Sequence, residues 1–196
     1  MRSGKWVTLA VLVTATLLCG VPSAQAQVAK FSKIKDAVPL KYFNATATTP
    51  NAADANDLVI GFNSGLDLNT FLFTDFRASS QAFYSRNATD TLAFTVKAPA
   101  GYYIAKITFH QEGSGFTSRT SISYGDTTVI VAGVPVVLGT FTSNPNLTRT
   151  IDISSKRLTS VPVSISESLF ATTGMVSITE ADVRVQLAPL VATTTE

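Results

Sequence analysis

His110 is the only histidine of the 196-residue chain, and it stands two places before a carboxylate in His110-Gln111-Glu112. An imidazole beside a carboxylate can move a proton near neutral pH. His110 closes an alternating stretch and precedes Gly113-Ser114-Gly115. The alternation sets it opposite Phe109, on the solvent side, so an ordinary surface histidine is expected. Zinc and copper centres draw several ligands from His and Cys. One His, with the single Cys19 in a segment expected to be removed, does not supply them. A serine triad would also need His110, and no Gly-x-Ser-x-Gly stretch presents a nucleophile. Glu112, Glu167 and Glu180 could each pair with an Asp for glycoside hydrolysis. As strand-face or turn carboxylates they are expected in solvent. No residue is assigned a catalytic role.

Hard oxygen ligands crowd one stretch: Asp54, Asn56, Asp57, Asn63, Asp67 and Asn69. Such donors suit Ca²⁺. Leu58 and Val59 occupy places where an EF-hand loop needs a polar ligand and a glycine, so Asp54, Asn56, Asp57 and Asp67 remain candidates without a motif. Asn and Asp also gather in turns because their side chains bond the nearby backbone. No resident cofactor is expected beyond this optional calcium. Sugar binding needs a flat apolar ring with polar neighbours. Tyr102, Tyr103 and Tyr124 could supply the ring, with His110 and Glu112 as polar partners. Alternation turns Tyr102 and Tyr103 to opposite faces.

Several elements must position these groups. Arg2 and Lys5 start the chain, Trp6 to Leu18 is apolar, and Pro22 to Ala26 offers a small-x-small cleavage site with Gln27 as the new N-terminus. That is the layout of a secretory signal peptide over residues 1–26. Its removal takes away the only Cys and the only Trp. Of fifteen basic residues, losing Arg2 and Lys5 leaves thirteen, against thirteen acidic ones. A near-neutral mature chain has no field for nucleic acid. No second apolar run reaches the ~20 residues of a membrane span. Secretion, periplasmic or extracellular, is the expected localisation.

Residues 27–57 read as a lead-in. Val28, Phe31, Ile34 and Val38 approximate a helical stripe that Pro39 would stop, so a short amphipathic helix is expected. Lys30, Lys33, Lys35 and Lys41 give it a basic face. From residue 58 to 190 the period is two. Pro99-Ala100-Gly101 marks a turn, and Tyr102 to His110 is the clearest strand, with Tyr103, Ala105, Ile107 and Phe109 on one face. Gly113 to Gly115 and Gly125-Asp126 read as interruptions, the latter as a tight hairpin turn. Pro135 suggests an edge strand or bulge. Phe116 to Tyr124 and Val129 to Leu138 are candidate edges. About ten short strands, each with one apolar side, call for two facing sheets. The expected fold is an antiparallel β-sandwich of jelly-roll or Ig-like type, followed by a disordered tail at 191–196. Asn44, Asn87 and Asn146 each open an Asn-x-Thr glycosylation acceptor, relevant in a eukaryotic host.

Thr70 to Phe76, Ala98 to Gly115 with its Pro-x-Gly-Tyr-x-Ile opening, and Val183 to Leu187 together resemble the exported β domains of bacterial PEP-CTERM proteins. The resemblance covers residues 58–188. It implies a surface or matrix role and brings no catalytic residues. The family's C-terminal Pro-Glu-Pro tag, membrane helix and basic cluster do not occur; the chain ends at Thr193-Thr194-Thr195-Glu196. The reading is therefore a secreted, non-catalytic surface, matrix or adhesion component. Its partner would be an extracellular polymer, a protein or its own copies. A carbohydrate-binding module is the second reading and a secreted hydrolase the third.

Overall fold

Alternation of apolar and polar side chains sends every second residue of a strand into the same layer. The computed structural model describes residues 27–37, 42–63, 65, 66, 72, 73, 76–80, 86–116, 123–141, 146–171 and 174–190. The expected signal segment with Ala26, the ligand candidate Asp67 and the tail at 191–196 lie outside these residues. In chain order the strands are β1 (Lys30–Asp36), β2 (Thr49–Pro50), β3 (Asp57–Val59), β4 (Gly65–Leu66), β5 (Leu72–Phe73), β6 (Phe76–Ser80) and β7 (Arg86–Lys97). They continue with β8 (Tyr102–Phe116), β9 (Ser123–Val131), β10 (Val134–Phe141), β11 (Asn146–Asp152), β12 (Ser160–Ala171) and β13 (Gly174–Pro189).

Two antiparallel sheets form a β-sandwich, as expected. One has the order β1-β7-β12-β9-β10; the other runs β11-β8-β13-β3-β2, with β6 also paired to β13. Leu92, Phe94 and Val96 of β7 and Val161, Val163 and Ile165 of β12 are buried in one sheet. They join a single core with Ile107 and Phe109 of β8 and Val183 and Val185 of β13. Each such side chain contributes ~1.5–3 kcal/mol relative to exposure. Among the described residues no helix is long and apolar enough to cross a membrane.

The lead-in helix is replaced by a strand. Lys30–Asp36 pairs with β7 as the edge of the first sheet. Its register slips between Ser32 and Lys35, and Lys33 has φ 54°. One extra residue reverses the alternation, so Phe31 and Ile34 both pack on the core. A bulge therefore produced the three-residue spacing that imitated a helix.

Bulges also correct other readings. The β8–β13 register passes from Lys106–Gln186 to Ile104–Leu187, leaving Ala105 unpaired. Ile104 thereby joins Ile107 and Phe109 in the core, while Tyr102 and Tyr103 are both half-buried. Gly113 to Gly115 stays inside the β8 ladder. Gly125 and Asp126 lie within β9, paired to β10 and β12. The hairpin turn falls instead at Ala132-Gly133, with φ 51° and 80°, the two positive values of a type I′ turn. Pro99 to Gly101 turns as expected: Gly101 has φ 81°, and Tyr102 N donates to Pro99 O. β10 is an edge, but Tyr124 and Val129 belong to β9, which is covered on both sides. Phe116 ends β8, so Phe116 to Tyr124 is not one edge strand.

Candidate functional site

Three neighbouring strands bring His110 its partners. β8 points Phe109 and Gln111 into the core and leaves His110 between them on the outer face. Antiparallel register places Thr148 of β11 on one side of His110 and Asp182 of β13 on the other. His110 Nδ1 lies 2.9 Å from Asp182 Oδ2, and Nε2 lies 3.5 Å from Glu112 Oε1. Asn146 Nδ2 donates to the same Glu112 oxygen at 3.2 Å. Thr108, His110, Thr148, Asp182 and Arg184 line a depression of about 240 Å³. On this outer face, the side expected from the alternation, the histidine is partly buried and paired with an acid.

Behind Asp182 stands Asp57, which register sets opposite Arg184. Asp57 is only 3% exposed. Its Oδ2 accepts from Asn51 Nδ2 at 3.1 Å and lies 3.9 Å from Arg184 Nη2. Its Oδ1 is buried without a hydrogen-bond donor. Burial, chiefly, and the Asp182 charge raise the Asp57 carboxyl above its ordinary range; Asn51 and Arg184 oppose them. The outer face thus carries a polar row in which His110 stands between Asp182 and Glu112.

The calcium candidates do other work. Asp54 Oδ1 accepts from Asn56 N. Asn56 Oδ1 accepts from Ala29 N, and its Nδ2 donates to Gln27 O. These are turn and strand fastenings of the kind Asn and Asp make on their own chain. Among the described residues no group of three or more His, Cys, Asp and Glu could hold a metal ion. The tyrosines do not converge either. Tyr103 is seven residues along β8 from His110, about 20 Å of strand. Tyr102 Oη accepts from Gln27 Nε2. Tyr124 is in the opposite sheet, its ring 5.1 Å from that of Phe170.

A second polar cluster lies inside the core. Glu167, expected in solvent, is 2% exposed. Thr127 Oγ1 donates to Glu167 Oε2 at 2.9 Å and accepts from Gln111 Nε2 at 2.9 Å. The cluster links the two sheets, since Gln111 comes from β8. Burial, with a smaller contribution from the Asp126 charge, pushes Glu167 well above the usual carboxylate range; the Thr127 bond opposes this. A sequence signal for it exists: Glu167 is in phase with Val163, Ile165 and Leu169.

No family model matches the chain. No curated protein matches it. Among solved structures, it is similar to a chain from a chaperone–tip adhesin complex of CFA/I fimbriae, with 8% identity and a TM-score of 0.30. That match covers 68% of this chain and 51% of the other, so this chain spans about half the length of that relative. A chain of infectious bursal disease virus, Gt strain, is 11% identical with a TM-score of 0.23, covering 88% of this chain and 58% of that one.

Proposed function

We propose that the chain is an exported, non-catalytic surface, matrix or adhesion component that joins copies of itself by strand addition at β10. The contrast between its sheet edges carries this reading. β1 has Lys30, Lys33 and Lys35, and β11 has Arg149 and Asp152. Charges on an edge discourage pairing with another chain. β10 has no charge, and it leaves Val134 47% and Val137 63% exposed. Pro135 and the bulge between Val137 and Gly139 shorten the stretch that can pair. A short uncharged edge suits a defined partner strand better than open-ended stacking. Light scattering over a concentration series of chain starting at Gln27 tests this. Association that disappears in Val137→Lys supports it; a monomer at every concentration overturns it.

The depression beside His110 favours one second reading, a saccharide site. Thr, Asp, Arg and His side chains can hydrogen-bond sugar hydroxyls without an aromatic platform. A glycan array separates the two: reproducible binding lost in Thr148→Val and unchanged in Val137→Lys supports the sugar reading.

A further inference from the structure

We infer that the outer face of β1 and β7 binds an acidic polysaccharide, a sugar polymer with carboxylates along its length, through Lys30, Lys35 and Lys97. Antiparallel register sets Lys30 directly opposite Lys97. Like charges so paired destabilise a sheet, and an anion between them removes the conflict. Lys35 lies opposite Ala93, an exposed position of the same outer face. The bulge at Lys33 makes this possible: the slip between Ser32 and Lys35 turns Ile34 to the core and Lys35 outward. Three lysines therefore rise from one face, with Lys35 about 13 Å along the strand from Lys30.

Among the described residues these lysines make no ion pair. The acids of the three nearest strands are turned the other way. Asp36 of β1 accepts from Ala45 N, Asp90 of β7 from Tyr42 N and Phe43 N, and Glu167 of β12 from Thr127. Asp126 of β9 is the acid on the outer face, three strands away from β1. The edge thus carries concentrated positive charge on a chain whose mature part is near neutral.

Charge complementarity selects an anion, and the floor around the lysines selects a sugar. Ser32, Thr95, Ala93, Ser160, Pro162 and Ser164 share the outer positions of β1, β7 and β12. Hydroxyls on this floor can exchange hydrogen bonds with sugar hydroxyls. Their neighbours are small, so the lysine heads stand above a level surface with no large apolar side chain to enter a bilayer. The rings of Phe31 and Phe94 meet in the core, 6.2 Å apart, and offer no platform for a nucleic-acid base. A polymer with repeated acids can reach Lys30 and Lys35 together, which a single sugar acid cannot. The surface is on the opposite edge of the sheet from β10, so binding does not depend on self-association.

Titration calorimetry of the full chain with polygalacturonate tests this. Binding should be measurable at about 0.05 M salt and fade towards about 0.3 M, as screening shortens the reach of exposed charges. Replacing all three lysines, Lys30→Gln with Lys35→Gln and Lys97→Gln, should weaken it by about tenfold or more. The same three positions changed to Arg should keep it, since the charge remains. The glutamine variant should unfold at or above the wild-type temperature, because a like-charge pair is removed. Lys106→Gln, on the other sheet beside Asp152, should leave binding within about twofold. Absence of binding to polygalacturonate overturns the inference, and so does an equal loss in Lys106→Gln, which would assign the effect to net charge. Tighter binding to phosphatidylglycerol vesicles or to single-stranded DNA than to the polymer overturns the choice of a polysaccharide.

Discussion

Glu167 of β12 lies directly opposite Asp90 of β7, and both side chains are buried. The two acids are satisfied differently. Asp90 Oδ2 accepts from Tyr42 N and Phe43 N, and its Oδ1 accepts from Thr91 N. Glu167 has Thr127 as its hydroxyl donor, with Gln111 behind it. One acid fastens a loop to the sheet; the other joins the two sheets. Neither is placed to meet a substrate in solvent.

Glu167→Gln should stabilise the protein at high pH. Burial raises the folded carboxyl above its unfolded value. Such a group contributes stability that is complete below the unfolded value and is lost as pH rises through the folded one. Glutamine keeps the shape and needs no proton. Urea unfolding at pH 5 and pH 8 checks this. The variant should gain about 1–3 kcal/mol over the wild type at pH 8 and less at pH 5. A gain that is equal at both values assigns the effect to packing.

Thr127→Val should cost about 1–3 kcal/mol, because it leaves buried polar groups without a partner. The hydroxyl serves both Glu167 and Gln111. Valine matches threonine in shape and suits a strand, so β structure should persist by circular dichroism. The urea midpoint should fall without a change in slope.

Alternation made much of this legible. The inward rows of β7, β12 and β13 follow from residues such as Leu92, Ile165 and Val183. The same phase reveals Glu167 as an inward acid once its neighbours are counted. Bulges were hidden because each inserts one residue and reverses the phase, as at Lys33 and Ala105. Partners remote in sequence were hidden too. His110 and Asp182 meet only through the β8–β13 register, 72 residues apart. The contrast between a guarded β1 and an uncharged β10 needed the strand order, which composition does not contain.

Gly61→Ala should destabilise the fold by the cost of overpacking, about 1–3 kcal/mol. A methyl at this position would sit 2.6 Å from Ala47 Cβ and 2.7 Å from its backbone carbon. Real carbon contacts do not reach such distances, and backbone is the obstacle, so the 44–48 turn must move. That turn is fastened on both sides of the glycine. Asn44 N donates to Gly61 O at 2.8 Å, and Gly61 N donates to Thr48 Oγ1 at 3.0 Å. Displacing it also strains the stacked pair Phe43 and Phe62, whose rings lie 5.8 Å apart. Tm should fall by about 2–4 °C per kcal/mol for a chain of this size. Amide exchange should rise at Asn44 and Thr48 and stay unchanged at Val129 in the opposite sheet. An unaltered Tm would mean that the turn does not pack against Gly61 in solution.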